Sequence, residues 1–327
     1  MVHRLNWSTA DGRPYGSSSA RDPALLALFS PNAMLSKVAA CSTKSFPMKL
    51  QEIRLHLSVL ALLFATSLVC KCQDNYEIQV YGSETVAPDQ TMVELHNNFT
   101  VSGSKDEVDG VYATQHAWHE TLEITHGWTP WFETGFYVFS SASTRYGWQW
   151  VGDHIRPRFR APDEWHWPVG ASISLEFGYQ RHAYSQDTWT LEVRPIVDKQ
   201  IGKWYLAFNP TLDRSVHGPG VSQGVTFSPN FKAGYDLTKR INAGLEYYGA
   251  TGPVTGFDPF RDQQQQIVPA FDLNLGPDWE FNFGVGVGVT HSTDHLIVKM
   301  ILGRRFNFPS RKERMDPARS TTGPNGV

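Results

Sequence analysis

The sequence WEFNFGVGVGV, residues 279–289, alternates without exception between two kinds of side chain. Its odd-numbered positions hold Trp, Phe or Val, and its even-numbered positions hold Glu, Asn or Gly. Successive side chains of a β-strand point to opposite faces of the sheet, so this pattern has the period of a strand. It predicts a strand with one apolar face and one face that is polar or nearly bare.

The same alternation recurs along the chain, and no stripe with the period of an α-helix is convincing between residues 75 and 308. In a second clear case, Ile173 and Phe177 oppose Ser174 and Glu176. The pattern is typical of an all-β protein. It predicts twelve strands, at residues 91–102, 115–126, 131–141, 147–159, 169–183, 187–197, 202–213, 224–236, 241–250, 265–276, 278–290 and 294–308.

Three features of these segments favour a membrane barrel over a soluble periplasmic β-sandwich, which would also alternate. The segments are long enough for the roughly 9 to 11 residues that a tilted strand needs to cross a bilayer. Short connections such as 237–240 alternate with long ones such as 101–114, as in outer-membrane barrels. Tryptophans such as Trp128 and Trp204 lie at strand ends, where the membrane interfaces would be. We therefore predict an antiparallel transmembrane β-barrel of about 12 strands, within a range of 10 to 14, in the bacterial outer membrane.

Five prolines are the main objection to a closed barrel: Pro157, Pro195, Pro210, Pro229 and Pro269. A proline has no N–H to donate to a neighbouring strand, and a closed barrel has no free edge on which that loss is harmless. We expect bulges, or strand ends near a rim, to accommodate them.

An export signal precedes the predicted barrel. Lys49 and Arg54 come before the largely apolar run 57–69, which is too short to cross a bilayer as a helix. The chain after this signal contains no cysteine, so no disulfide stabilises the exported part. The sequence divides into a non-native or disordered extension (1–47), a signal peptide (48–72), a periplasmic or lumenal segment (73–90), the barrel (91–308) and a disordered polar tail (309–327).

The last predicted strand carries a signal for membrane assembly. Gly303 is followed by Phe306 and Phe308, and this spacing of a glycine and two aromatic residues resembles the C-terminal signal that the barrel-assembly machinery recognises. The machinery and the outer-membrane lipid are therefore expected partners.

Residues 75–308 resemble an uncharacterised family of bacterial outer-membrane barrels that is similar to the MetA-pathway phenol-degradation group of transporters. The resemblance lies in YEIQVY at 76–81, in HETLEIT at 119–125 with its turn into WFETG at 131–135, and in DHL at 294–296. It implies an outer-membrane barrel and a transport role. By name it links the family to aromatic compounds, and no family motif assigns a substrate.

Charged side chains on the polar face mark the predicted lumen. Arg or Lys facing lipid at the membrane midplane costs about 2 to 4 kcal/mol, so these groups are expected to face inward. A mutually paired polar plug would explain them as well as a pore lining would. The candidate lumen-lining residues are Glu94, Glu123, Glu133, Glu176, Glu192, Arg194, Lys232, Glu246, Asp272 and Lys299.

These features predict a narrow channel or facilitator for small molecules, possible solutes being aromatic or cationic compounds. Residues 73–327 hold 29 acidic and 21 basic side chains, an excess that favours cations in such a lumen. A barrel-embedded lipid-modifying enzyme and a structural or adhesive barrel remain as alternatives. The whole chain has a net charge of −3, which lacks the basic excess of a nucleic-acid-binding protein.

Two motifs that suggest catalysis or metal binding lack the required context. GVSQG at 220–224 has the spelling of a nucleophile elbow around Ser222, but Pro219 precedes it and a β-pattern follows where that motif requires a helix. His116 and His119 are three residues apart on a predicted strand and so point to opposite faces. We therefore predict a protein that is not an enzyme and that uses no metal and no cofactor.

Overall fold

A computed structural model describes residues 75–307. The predicted extension, signal peptide and polar tail lie outside these residues, as does Phe308. The part of the chain that is described contains no helix of the length and hydropathy needed to cross a membrane. Its helical elements are two short 3₁₀ turns, Asp163–Trp165 and Pro219–Gln223.

Twelve long antiparallel strands form the fold, which confirms the predicted all-β class and strand number. An additional two-residue strand, β10, pairs with β8. Every predicted strand end lies within about four residues of the observed one. The strands are β1 Gln90–Ser102, β2 Trp118–Thr129, β3 Phe132–Ser143, β4 Gly147–Arg160, β5 Gly170–Gln180, β6 Trp189–Ile201, β7 Trp204–His217, β8 Val225–Asp236, β9 Ile241–Ala250, β10 Gly252–Pro253, β11 Gln264–Leu273, β12 Trp279–Gly288 and β13 Leu296–Asn307.

The sheet closes on itself. Each long strand pairs with its sequence neighbour, and β1 pairs with β13 along almost its whole length, from Gln90 opposite Asn307 to Ser102 opposite Leu296. Because β8 also pairs with β9, the ring has no open seam. A β-sandwich has free edges, so the soluble alternative is wrong.

The connections divide between two rims. One rim, the tight-turn rim, carries the β2–β3, β6–β7, β8–β9 and β11–β12 turns of at most five residues, and the β4–β5 connection of residues 161–169. The other, the long-loop rim, carries longer loops such as 103–117 and 251–263. It has one short connection, residues 144–146 between β3 and β4. Both ends of the barrel sequence, Gln90 and Asn307, lie at the tight-turn rim.

The outer surface is apolar around its middle and carries tryptophans at both rims. Leu95, Ile155, Phe177 and Phe208 are among the large apolar side chains exposed between the rims. Two aromatic groups flank this band, as expected where a barrel meets the two membrane interfaces. Exposed tryptophans at the tight-turn rim are Trp128, Trp131, Trp165, Trp167, Trp204 and Trp279, and those at the long-loop rim are Trp118, Trp148, Trp150 and Trp189.

The five prolines lie inside strands, where the barrel accommodates them by leaving gaps in single ladders. Beside Pro157, the β4–β5 pairing skips from Ile155 to Arg158, while the β3 pairing of the same residue continues. Similar gaps occur beside Pro195 and Pro269, and Pro210 stands opposite Pro229 between β7 and β8. The sequence suggested bulges or strand ends, and neither is the general solution, because the register is the same on both sides of each gap. A proline lacks a donor on one side of its strand, so closure survives through the other.

Candidate functional site

Residues 75–89, which we call the N-terminal plug, are largely buried inside the barrel from Asn75 to Ser83 and are exposed at Glu84 and from Ala87 to Asp89. Ile78 and Val80 are buried in one apolar cluster with Tyr248 of β9 and Val268 of β11. Both residues belong to the predicted segment 73–90, and both pack against inward side chains of the wall. Asn75 contacts Asp294 in the β12–β13 loop, so the plug runs from the long-loop rim down to the start of β1.

Side chains of the wall hold the plug by its backbone. Asn209 of β7 accepts a hydrogen bond from the Tyr81 N–H at 2.8 Å and donates one to the Tyr81 carbonyl at 3.0 Å. Asn98 of β1 donates to the Asn75 carbonyl at 2.8 Å, and Thr121 of β2 donates to the Tyr76 carbonyl at 2.7 Å. A buried backbone requires such partners. Here, inward side chains of the wall supply the hydrogen bonds that a neighbouring strand would supply in a sheet.

The inward glycines of β12 contribute indirectly to this packing. A Cβ at Gly284 would lie 2.7 Å from Val268, and one at Gly286 would lie 2.6 Å from Ile297. Both neighbours belong to the apolar cluster around Ile78. The space beside these glycines is thus filled by wall side chains that pack against the plug.

All ten predicted lumen residues lie on the inward face, and the structure gathers them into three groups. The β1–β4 cluster contains Glu94, Glu123 and Glu133, with His96, Arg156 and Arg158. The β8–β13 cluster contains Lys232, Glu246, Asp272 and Lys299. The cavity cluster contains Glu176, Glu192 and Arg194, with Glu77 and His154.

In the β1–β4 cluster, two buried guanidinium groups bind carboxylates and the plug. Arg156 contacts Glu123 at 2.5 Å and Glu133 at 3.2 Å. Arg158 contacts Glu133 at 3.5 Å and donates a hydrogen bond to the Gly82 carbonyl. Buried charges of this kind are stable when paired and hydrogen-bonded. The cluster therefore ties three wall strands to the plug.

The β8–β13 cluster repeats this arrangement on another part of the wall. Lys299 pairs with Glu246 and donates to the Ile78 carbonyl at 2.9 Å. Lys232 bridges Glu246 at 3.2 Å and Asp272 at 2.8 Å. The Tyr248 hydroxyl donates to Glu246 at 2.7 Å. Two ammonium groups thus balance two carboxylates, and each carboxylate has a cationic partner.

The cavity cluster borders an opening at the long-loop rim. Arg194 contacts Glu77 of the plug at 3.0 Å and Glu192 at 2.6 Å, and His154 pairs with Glu176. These residues line a cavity of about 330 Å³ whose wall also includes the β5–β6 and β9–β11 loops. Tyr76 and Glu77 of the plug contribute to its lining. The lining holds seven carboxylates and two guanidinium groups, so the cavity is acidic.

Sequence reasoning identified the inward charges but missed several residues on which the site depends. His96, Arg156, Arg158 and Asn209 were not singled out. Alternation predicted which side chains of each strand face inward. An arginine or asparagine at an inward position was therefore the signal that could have identified these residues. Which residues meet across the lumen depends on strand register and closure, and the pattern contains neither.

The remaining motifs take positions that do not support catalysis. Ser222 lies in the short 3₁₀ turn between β7 and β8, and its hydroxyl donates to the Pro219 carbonyl at 3.0 Å. The GVSQG sequence therefore does not form the strand–turn–helix of a nucleophile elbow. His116 is exposed in the loop before β2, whereas His119 is buried on β2. In the predicted assembly signal, Phe306 is exposed and Gly303 faces inward, and Phe308 is outside the described residues.

A closed antiparallel barrel with an apolar outer band, aromatic rims and a charged interior is a transmembrane β-barrel of the bacterial outer membrane. A family model described as "Putative MetA-pathway of phenol degradation" matches residues 150–297. The resemblance noted in the sequence is thereby confirmed for the part of the barrel from β4 to the start of β13. A search of curated proteins finds no match.

Several solved outer-membrane barrels are similar in structure. The COG4313 outer membrane channel from Pseudomonas putida F1 is 10% identical, with a TM-score of 0.48, and the match covers 70% of this chain and 100% of that one. The NanC porin is 9% identical, with a TM-score of 0.43 and coverage of 66% and 100%. The Acinetobacter baumannii outer membrane protein Omp33 is 10% identical, with a TM-score of 0.37 and coverage of 69% and 100%.

Proposed function

We propose that this protein is a narrow outer-membrane channel for small cationic molecules, with a lumen regulated by the N-terminal plug. The observation that carries the proposal is the acidic cavity of about 330 Å³, which is lined jointly by the wall and by the plug. A concave space of this size fits a small organic molecule. The family description adds aromatic compounds as a solute class to test.

Charge in the lumen favours positive solutes. Residues 75–307 contain 26 Asp and Glu against 17 Lys and Arg. Low-dielectric walls concentrate the field of such an excess and raise the local concentration of cations. The carboxylates of the cavity are Glu77, Glu176, Asp187, Glu192, Asp213, Asp258 and Asp262.

The contacts of the plug make it displaceable without opening the sheet. The closed ring contains none of the plug's described residues as strand members, and wall side chains such as Asn209, Asn98 and Lys299 hold the plug backbone. Moving the plug breaks these bonds while the strand ladders remain. Each hydrogen bond is worth about 0.5 to 1.5 kcal/mol net, so the plug and the wall can separate in steps.

Selectivity in planar bilayers tests the proposal. The double variant Glu176→Gln/Glu192→Gln removes two negative charges from the cavity, and we expect the cation-over-anion permeability ratio to fall by at least about twofold. The matched control is Asp163→Asn/Glu164→Gln, which removes the same charge from exposed positions at the tight-turn rim. Equal selectivity in both variants and the unmodified protein would contradict a cation-selective lumen.

A further inference from the structure

Three buried side chains of the β1–β4 cluster have the composition of a metal site. One ligand atom from each of Glu94, His96 and Glu123 lies within 4.8 Å of the other two. Their exposed fractions are 7%, 0% and 0%. Glu94 and His96 share the inward face of β1, and Glu94 stands directly opposite Glu123 in the β1–β2 ladder.

Three buried polar atoms of this group make no hydrogen bond within the described part of the chain. Neither ring nitrogen of His96 makes a hydrogen bond, and Oε2 of Glu123 makes none. The His96 Nε2 atom lies 3.3 Å from that Oε2 atom. The other oxygen of Glu123 accepts hydrogen bonds from Arg156 and Thr125, which hold the carboxylate in place. Buried polar atoms without partners are unusual and require an explanation.

We propose that Glu94, His96 and Glu123 bind one divalent transition-metal ion, for which Zn²⁺ is the test ligand. Ligand atoms bound about 2.0 to 2.2 Å from a tetrahedral zinc ion lie roughly 3.3 Å from each other, as Nε2 and Oε2 do here. One imidazole and two carboxylates suit zinc or a neighbouring transition metal. Calcium and magnesium require more oxygen ligands, so the site disfavours them.

Charge in the cluster supports a bound dication. Two guanidinium groups, those of Arg156 and Arg158, pair with Glu123 and Glu133, whereas Glu94 has no ion pair among the described residues. Like charges directly opposite each other in a ladder repel, and a cation between Glu94 and Glu123 removes that repulsion. Gly303 stands opposite Glu94 on β13, and a Cβ there would lie 2.4 Å from Met92 and 2.9 Å from Glu94. The site stands independently of the channel proposal.

Metal content of the folded barrel is the direct test. The full chain is purified from outer membranes in detergent, treated with a chelator, and titrated with Zn²⁺. We expect the unmodified protein to hold one zinc ion per chain more than His96→Gln, and Glu94→Gln to bind that ion at least about tenfold more weakly. Co²⁺ substitution gives an absorption spectrum that depends on the imidazole. Gel migration with and without boiling confirms that each variant is a closed barrel.

His154→Gln is the matched control, because His154 is also buried in the lumen but pairs with Glu176 in the cavity cluster. It should retain the ion. Equal zinc content in the unmodified protein and in folded His96→Gln overturns the proposal, and so does equal loss in His154→Gln. Absence of zinc binding by the unmodified barrel also overturns it, and then His96 and Glu123 form a simple ion pair.

Discussion

The β1–β4 and β8–β13 clusters perform the same structural task with different charge balances. Both bury carboxylates against basic side chains, and both donate a hydrogen bond to a plug carbonyl, at Gly82 and Ile78 respectively. The β8–β13 cluster has two cations for two carboxylates. The β1–β4 cluster has two cations for three carboxylates, and its His96 has no hydrogen bond. A cluster with equal numbers of cations and carboxylates needs no further ion to support the plug. A cluster with more carboxylates than cations can bind an additional cation.

The largest expected effect on the free energy of unfolding is that of Arg156→Met. Arg156 pairs with two carboxylates, in the cluster that has fewer cations than carboxylates. Removing one partner of a buried ion pair costs about 3 to 5 kcal/mol. Reversible urea unfolding, followed by tryptophan fluorescence, measures the change. Arg305→Met is the control, since its pair with Glu280 is partly exposed and worth at most about 1 kcal/mol. Equal losses would remove the distinction between buried and rim charges.

Lys299→Met tests the balanced cluster and should cost less, about 2 to 3 kcal/mol. Glu246 keeps Lys232 at 3.2 Å and Tyr248 at 2.7 Å, so its carboxylate is not left without partners. The same unfolding experiment applies, with the exposed Lys203→Met as control. A loss larger than that of Arg156→Met would reverse the comparison between the two clusters.

Asn209→Ala asks whether the wall outside both clusters also holds the plug. It removes two hydrogen bonds to the Tyr81 backbone, and together these stabilise the docked plug by about 1 to 2 kcal/mol. We expect more frequent high-conductance openings in single-channel records and a smaller effect on unfolding. Asn230→Ala is the matched control, because Asn230 stands opposite Asn209 in the β7–β8 ladder. Identical records for both variants would show that the two Asn209 hydrogen bonds do not hold the plug in place.

The smallest effect, and the one with the opposite sign, is expected for Glu94→Gln. Without metal it relieves the repulsion between Glu94 and Glu123 and raises the free energy of unfolding by up to about 1 kcal/mol. Zinc should then stabilise the unmodified protein more than it stabilises Glu94→Gln, because a ligand stabilises the state that binds it and the variant binds zinc more weakly. Destabilisation by this substitution in a chelator would show that the cluster is already balanced.

Sequence alternation predicted most of the fold, because the face of a strand is a local property. The run 279–289 gave the orientation of β12 directly, and the inward positions of Glu246 and Lys299 followed from the same rule. The pairing of those two residues did not follow, since they are 53 positions apart and lie on strands that β11 and β12 separate in the sheet. The sequence showed that each proline lacks a ladder donor, but it did not show which neighbouring strand loses the hydrogen bond. In the structure, the gaps lie in one ladder at a time.

The plug has a consequence for the order of folding. It precedes every strand in the sequence, yet its partners range from Asn98 on β1 to Lys299 on β13, and the Lys299–Ile78 hydrogen bond spans 221 residues. The set of wall side chains that binds the plug is therefore complete only when the last strand has been added. Contacts of such long sequence separation form late and slowly. Docking of the plug should accordingly be the final step of folding, and the rate at which Ile78 becomes buried reports the rate at which the barrel closes.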